Sequence, residues 1–202
     1  MLVAFEGIDG AGKTTQSKRL FAKLMELGMR AVWSKEPSDG EIGRLIRGAL
    51  RGEVELDQRT LALLFAADRI ENMRRLAEDG IIIIVDRCVL SSLAYQGVFV
   101  PFEWILEINR WAKLPDVIFY LDLSPEVAVK RAPEGSVYHT VSFLRQVREN
   151  YIKLIGEEPW KSRTYMIDAS REEGVVFDEI LNIFLGRLRE ENEVRGSGQC
   201  ER

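Results

Sequence analysis

Residues 7–14 have the types and spacing needed to hold phosphate groups. Gly7, Ile8, Asp9, Gly10, Ala11, Gly12, Lys13 and Thr14 read G-x-x-x-x-G-K-T, between an apolar run and a helical pattern that starts at Thr15. In a strand–loop–helix context, the loop's backbone N–H groups and the positive end of the helix surround phosphate oxygens. Lys13 is then placed to reach the terminal phosphates and the hydroxyl of Thr14 to hold Mg²⁺. The segment predicts a site for a nucleoside triphosphate, with Lys13 as a catalytic residue.

Three acidic or basic residues near this loop are further candidates. Asp9 lies inside the loop, where its spacing fits a contact with a second substrate and a cap on the loop's own amides equally well. Asp86 and Arg87 follow an apolar strand, at the edge of a parallel sheet where ligands bind. We predict Asp86 on Mg²⁺ or its water shell and Arg87 on a phosphate. The alternative is a structural ion pair at the strand end.

Several other side chains remain ambiguous on spacing alone. Arg44 and Arg47 lie one turn apart on a predicted helix and share a face, which is more often simply solvated. Phe65 lies in a stretch where a phenylalanine is more often core than a platform for a base. Tyr95 and Gln96 fit an ordinary helix end as well as a binding site.

The elements that must position these residues alternate along the chain. Apolar, β-branched runs recur at residues 2–5, 31–33, 81–85, 117–121 and 165–167, and helical patterns separate them. Such alternation predicts βαβ units, and the run 81–85 has no polar residue, which is typical of a central strand covered on both faces. We predict an α/β fold of the P-loop NTPase type: a three-layer sandwich with a five-stranded parallel sheet, helices on both faces and a short lid.

The predicted domain organisation is simple. Residues 1–189 form one domain, and the segment 132–140, which contains Pro133 and Gly135, breaks helical periodicity and is the candidate lid. The polar tail 190–202 has no apolar period and is predicted to be disordered.

Composition restricts the classes of partner. A chain of 202 residues with a net charge of −4 lacks the basic excess expected of general nucleic-acid or membrane-surface binding. No apolar run is long enough to span a bilayer. The two cysteines, Cys88 and Cys200, suggest neither a disulfide framework nor a zinc site and fit a reducing cytosol. We therefore expect a cytoplasmic protein that binds neither nucleic acid nor membranes.

Taken in order, the motifs resemble the thymidylate kinase family. The matching pieces are residues 5–7 and 15–16 around the loop, 35–37, 64–69, 86–87, 91–96, 114–116, 120–122 with 125–126, and 147–148 with Tyr151. They cover nearly the whole chain up to about residue 189. Each piece outside the loop is weak by itself, whereas the ordered set is highly specific.

The resemblance implies roles for individual residues. On the acceptor side, Phe65 would stack on thymine and Arg69 would hydrogen-bond its edge, with Ser91, Ser92 and Gln96 nearby. Tyr95 would lie against the deoxyribose and crowd the space that a 2′-hydroxyl needs, and Asp9 would take the 3′-hydroxyl side of the sugar. Arg47 and Arg87 would bind the monophosphate, and Glu36 with Pro37 would lie near the phosphates and metal. On the donor side, Arg131 would lie on adenine, and Asp168, Ala169 and Ser170 would lie along the other edge of that base. The same resemblance implies a homodimer.

The chain also departs from the family pattern. Lys35 stands where the family usually has arginine, and Cys88 where it has an aromatic residue or histidine. The family places an additional arginine in the phosphate loop or in the lid. Here Gly10 and Ala11 occupy the loop positions, and residues 132–140 contain neither arginine nor lysine. The nearest basic residues are Lys130 and Arg131 before the lid and Arg145 and Arg148 after it. Of these we predict that Arg148 supplies the charge, with Arg131 kept on adenine, and the alternative is a slow enzyme that lacks this charge.

The phosphate loop predicts the use of MgATP, and the resemblance implies transfer of its γ-phosphoryl group to dTMP, giving dTDP and ADP. A kinase for another small acceptor, such as dUMP, CMP or a coenzyme precursor, is one alternative. A nucleotide-bound switch that signals by ordering a loop is another. Against the switch, no Asn-Lys-x-Asp segment for reading guanine follows the later strands.

Overall fold

The computed structural model describes residues 1–76, 78–131, 138 and 140–197, with backbone only for 191–197. The strands are β1 (Leu2–Glu6), β2 (Ala31–Lys35), β3 (Ile82–Asp86), β4 (Val117–Asp122) and β5 (Thr164–Asp168). The five apolar runs predicted as strands are thereby confirmed. Most strands extend the predicted runs by one or two residues at an end, because backbone pairing continues into polar residues such as Lys35 and Asp86, whereas β3 begins at Ile82, one residue after the predicted start.

All strand pairs are parallel and the sheet order is β2-β3-β1-β4-β5. Every residue of β1 and β3 is buried. Since successive side chains of a strand point to opposite faces, complete burial means that both faces of the sheet centre are covered. The doubly wound α/β sandwich predicted from the sequence is confirmed.

Helices connect the strands. They are α1 (Lys13–Glu26), α2 (Glu41–Leu50), α3 (Gln58–Leu76), α4 (Val89–Gln96), α5 (Phe102–Ile108), α6 (Pro125–Arg131), α7 (Val141–Ile155) and α8 (Glu173–Ser197), with a short 3₁₀ turn at Lys161–Arg163. Helix α1 packs on β1 and β3 and against α8, whereas α4 packs against α3, α5 and α7. The carboxyl ends of β1 and β3 lead directly into the phosphate loop and α4, so the candidate residues on both meet at one edge of the sheet.

Two expectations about irregular segments have different outcomes. Helix α8 continues to Ser197, through the first part of the tail 190–202 for which disorder was predicted, and the rest of that tail lies outside the described residues. Most of the predicted lid, 132–140, lies outside the described residues. Its described members are Tyr138, which is buried, and Thr140, whose hydroxyl accepts a hydrogen bond from the Phe143 amide at the start of α7. Among the described residues, no helix combines the length and apolarity needed to cross a membrane.

Candidate active site

The phosphate loop joins β1 to α1 and packs tightly on the elements behind it. Gly7, Gly10 and Gly12 all have positive φ angles, 140°, 84° and 90°. A Cβ at Gly7 would lie 2.6 Å from the carbonyl oxygen of Leu121, and one at Gly10 would meet the Ala128 carbonyl. Both the backbone conformation and the space therefore demand glycine at these positions.

Lys13 is buried at the start of α1. Its amine donates a hydrogen bond to the carbonyl oxygen of Ile8 at 2.7 Å. Burial, and next the nearby Arg87 cation, lower the pKa of the amine to about 8. An ammonium group held under such conditions is stabilised by an incoming anion, as a nucleotide phosphate would provide.

Thr14 and Asp86 meet beside Lys13, as the sequence predicted for a metal site. The Thr14 hydroxyl donates to Asp86 Oδ2. Asp86 Oδ1 is buried and has no hydrogen-bond partner among the described residues. A hydroxyl and a carboxylate oxygen are hard ligands of the kind that Mg²⁺ takes, together with waters and substrate phosphates. Asp86 does not pair with Arg87, so the alternative of a strand-end ion pair between these neighbours is wrong.

A cavity of about 740 Å³ opens over the loop. Of the residues predicted for ATP, it is lined by Asp9, Gly10, Ala11, Gly12, Lys13, Thr14, Thr15, Arg131 and Ala169. Gly7 and Ile8 do not line it and form the buried base of the loop. At the far end Arg131 donates to the Ala169 carbonyl at 3.0 Å, so these two residues from α6 and the end of β5 lie together where an adenine is expected.

Five further residues line this cavity without having been predicted as site residues from the sequence, namely Gln16, Lys35, Arg171, Glu173 and Val176. Gln16 donates to the Glu173 carbonyl at 3.0 Å and thus ties α1 to α8. The only available signal was proximity in sequence to Thr15 and Ala169, because the pairing of α1 with α8 joins residues 157 positions apart.

A second, smaller cavity adjoins the first. Its lining contains almost every residue that the resemblance assigned to the acceptor, Asp9, Glu36, Pro37, Phe65, Arg69, Arg87, Ser91, Ser92, Tyr95 and Gln96, together with Leu50 and Tyr138, which were not predicted. Arg47 lines the first cavity instead. Since Asp9, Glu36, Pro37 and Arg87 line both, the two cavities meet there.

Arg87 occupies this junction in a strained conformation. Its φ angle of 81° is the only positive value found among non-glycine residues in the described part of the chain. The guanidinium pairs with Asp9, donates to Ser91 Oγ at 3.0 Å and lies over the Tyr95 ring at 5.0 Å. Backbone strain of this kind persists where surrounding contacts over-determine the residue, which is common in active sites.

Glu36 and Arg69 form a buried ion pair beside the junction. Arg69 Nη2 donates to Glu36 Oε2 at 2.6 Å, and both side chains are almost inaccessible to solvent. Burial raises the pKa of Glu36, and the neighbouring Arg69 partly offsets this effect. Arg69 is thereby fixed at the wall of the second cavity rather than extended into it.

The remaining basic candidates lie at the border of the site. Arg47 donates to the Pro37 carbonyl at 3.0 Å and holds the loop after β2. Arg148 makes a two-pronged ion pair with Asp122, both N–O distances being 2.8 Å, and lines neither cavity. Arg145, one turn earlier on α7, is exposed and pairs with Glu126.

Glu6, immediately before the loop, is a buried residue that the sequence analysis assigned no role. Its carboxylate accepts hydrogen bonds from the Cys88 amide at 2.7 Å, the Ser91 hydroxyl at 2.6 Å and the Tyr151 hydroxyl at 2.7 Å. A negative charge at the N-terminus of α4 is favourable. The signal was a charged residue ending an otherwise apolar strand.

The parallel sheet, the phosphate loop and two adjoining cavities define a P-loop nucleotide-binding protein with places for two substrates. A sequence model described as thymidylate kinase matches residues 5–180. The chain is 40% identical over 192 residues to a protein of Methanocaldococcus jannaschii named probable thymidylate kinase, covering 94% of this chain and 96% of that one. A Methanothermobacter thermautotrophicus protein of the same name is 39% identical over 190 residues, with 91% and 93% covered. The chain belongs to the thymidylate kinase family, whose general activity is phosphoryl transfer between ATP and dTMP.

Proposed function

We propose that this chain transfers the γ-phosphoryl group of ATP to the 5′-phosphate of dTMP. The observation that carries the proposal is the meeting of the two cavities at Arg87, one lined by the phosphate loop and the other by residues suited to a nucleotide base. A donor and an acceptor in these cavities bring their phosphates to the same point.

The reaction forms one P–O bond and breaks another. An oxygen of the dTMP phosphate attacks the γ-phosphorus, and the bond from that phosphorus to the bridging oxygen of ADP breaks. The acceptor oxygen is ionised at neutral pH, so no general base is needed. Catalysis consists of alignment and positive charge.

Different residues align the two substrates and supply the positive charge. Loop amides and the Lys13 ammonium hold the β- and γ-phosphates, and Arg87 holds the acceptor phosphate. Asp9 pairs with Arg87 and so fixes the direction of its guanidinium. Thr14 and Asp86 are the residues that would hold Mg²⁺, since a buried carboxylate oxygen without a partner lies beside a hydroxyl there. When bound, Mg²⁺ neutralises phosphate charge.

Acceptor recognition belongs to the second cavity. Phe65 and Tyr95 give it two aromatic walls, and Arg69 presents hydrogen-bond donors only. An aromatic wall favours a planar base, and the bulk of Tyr95 beside Arg87 leaves less room for a 2′-hydroxyl. Together the two features favour a deoxynucleotide acceptor whose base stacks on an aromatic side chain.

A panel of acceptors tests the proposal. ADP formation is measured with ATP and dTMP, dUMP, CMP, UMP or no acceptor, at equal concentrations. The expected result is fast ADP formation with dTMP and little without an acceptor. Faster ADP formation with another monophosphate would show that this monophosphate, and not dTMP, is the acceptor. Slow ATP hydrolysis that no acceptor changes would favour a nucleotide-dependent switch.

The proposal includes a homodimer in the cytoplasm. Leu63 and Ile70 lie on the same face of α3 and are 49% and 44% exposed, and Leu45 on the neighbouring α2 is 41% exposed. Leu93 on α4 is fully buried, belongs to the core and is therefore not part of such an interface. Exposed apolar side chains on two helices that pack together suit a symmetric interface between copies. A reducing cytoplasm suits the buried free thiol of Cys88.

A further inference from the structure

The guanidinium of Arg69 donates hydrogen bonds to three neighbouring side chains, which together occupy all but one of its N–H groups. Its Nε–H lies 3.0 Å from both oxygens of Glu36, and Nη2 donates to Glu36 and, at 2.9 Å, to Ser92 Oγ. Nη1 donates to Asn109 Oδ1. A guanidinium carries five N–H groups in one plane. One N–H of Nη1 therefore has no acceptor among the described residues.

Asn109 is itself held in one orientation. It is 5% exposed at the end of α5, and its Nδ2 donates to the Ile105 carbonyl at 2.8 Å. Reversing the amide would place an NH₂ group against the guanidinium and an oxygen against a carbonyl. The Ile105 contact thus keeps Oδ1 directed at Arg69.

We propose that Asn109 is a positioning residue for the acceptor nucleotide. Asn109 acts through Arg69. It accepts a hydrogen bond from one N–H of Arg69 Nη1 and thereby fixes the direction of the second N–H of the same nitrogen. This second N–H donates a hydrogen bond to the base of the acceptor in the second cavity. Glu36 and Ser92 hold the opposite side of the guanidinium, so the planar group cannot turn. This inference rests on the proposed function, because it assigns a role in binding dTMP.

The test measures the Kd of dTMP without ATP, and the Kd of ATP, by titration calorimetry. Asn109→Leu keeps the approximate volume and removes the acceptor oxygen. It should weaken dTMP binding about tenfold, the effect of one hydrogen bond to a charged group, and leave ATP binding within about twofold of wild type. Asn109→Asp keeps an oxygen toward Nη1 and should bind dTMP more tightly than the leucine variant.

Asn72→Leu is the matched control. Asn72 is also a buried asparagine, one turn beyond Arg69 on α3, but it bonds to Ser34 and lines neither cavity. Its replacement should lower thermal stability without changing the Kd of dTMP. An equal loss of dTMP affinity in both leucine variants would overturn the proposal.

A double-mutant cycle with Arg69→Lys separates positioning from general damage. Lysine keeps a cation near Glu36 but has no Nη1 for Asn109 to hold. In that background Asn109→Leu should have no further effect on dTMP binding, whereas additive losses would refute a role through Arg69.

Asn109→Ala replaces the leucine variant if that does not fold. If the wild type phosphorylates an acceptor other than dTMP, the proposed function fails; unchanged dTMP affinity of the Asn109 variants in an active kinase refutes only this inference.

Discussion

At the residue scale, the site concentrates charges in places where water is scarce. Lys13, Asp86, Glu36 and Arg69 are each less than a tenth exposed. An isolated buried charge is costly, so each depends on a partner or on an incoming ligand of opposite charge. Glu36 and Arg69 compensate each other's charge, while Lys13 has a neutral carbonyl as its hydrogen-bond partner and Asp86 has a hydroxyl. Lys13 and Asp86 are thus the residues on which bound phosphate and metal have the largest effect.

Lys13→Met should abolish turnover while the fold remains. Methionine has a similar length and no charge, and removing a single donor to the transferred group typically lowers kcat by about 10²–10³-fold or more. Steady-state ADP formation and the Tm check this. A mutant with a near-normal rate would show that the phosphate-loop assignment is wrong.

Phe65→Ala should weaken dTMP binding. A stacked base contributes about 1–3 kcal/mol, so the expected loss is roughly 5–150-fold, with the KM of ATP unchanged. In the same experiments Tyr95→Ala should narrow the preference for deoxy over ribo acceptors. If both variants lower the Tm and leave acceptor affinity alone, the two rings serve the core instead.

At the element scale, the carboxylate of Glu6 links β1 to α4, the helix that carries four of the predicted acceptor residues, Ser91, Ser92, Tyr95 and Gln96. The Cys88 and Ser91 amides at the start of α4 donate to Glu6, as does the Tyr151 hydroxyl from α7. The position of α4 against the phosphate loop is therefore set by one buried group. A change at Glu6 should affect acceptor binding although Glu6 lines neither cavity.

Glu6→Gln should lower stability by about 1–3 kcal/mol, because hydrogen bonds to a charged acceptor become neutral and one donor of the new amide faces other donors. The KM of dTMP should rise more than that of ATP. Tyr151→Phe, which removes a single donor, is the milder companion variant. Equal rises in both KM values would indicate general loosening rather than a shift of α4.

Helix α7 carries the arginine that we predict replaces the missing loop or lid arginine. The Arg148 fork holds Asp122 at the end of β4, so reaching the transferred group requires that ion pair to open. An arginine on the transferred group contributes roughly 10³–10⁵ in rate. Arg148→Ala should therefore lower kcat strongly at saturating ATP and dTMP.

Arg145→Ala and Arg131→Ala are the comparisons for this prediction. Arg145 is exposed on the same helix, and its removal should leave kcat close to wild type. Arg131 lies at the expected adenine position, so its removal should raise the KM of ATP instead. A normal kcat for Arg148→Ala would contradict the assignment, and slow turnover of the wild type itself would indicate an enzyme without this charge.

At the scale of the whole molecule, the exposed apolar face of α2 and α3 predicts self-association. Leu63→Glu or Ile70→Glu places a charge in that face and should convert a dimer to a monomer in sedimentation experiments, because an unpaired charge is costly to bury. Met25→Glu, at an exposed apolar position of α1, is the matched control and should leave the dimer intact. A monomeric wild type, or dimers in all variants, would refute this interface.

The sequence by itself determined those features that depend on residues close together along the chain. The G-x-x-x-x-G-K-T segment predicts the phosphate loop because turn, helix end and lysine lie within eight residues. The runs 2–5 and 81–85 predict buried strands because their apolar character is continuous. The acceptor residues came from a resemblance over the whole chain, since Phe65 and Arg69 have no local pattern that separates binding from core.

Only the tertiary structure decided which groups share a site across long separations. Glu6 bonds to Tyr151, 145 positions away, and Arg69 to Asn109, 40 positions away. Neither partner has a sequence signal, because hydrogen bonds between buried side chains depend on how strands and helices are placed in space. The same holds for Arg148, which the resemblance to the family placed near the transferred phosphate and which the fold pairs with Asp122. Local chemistry thus located the phosphate loop, and packing between distant elements set the orientation of the side chains around it.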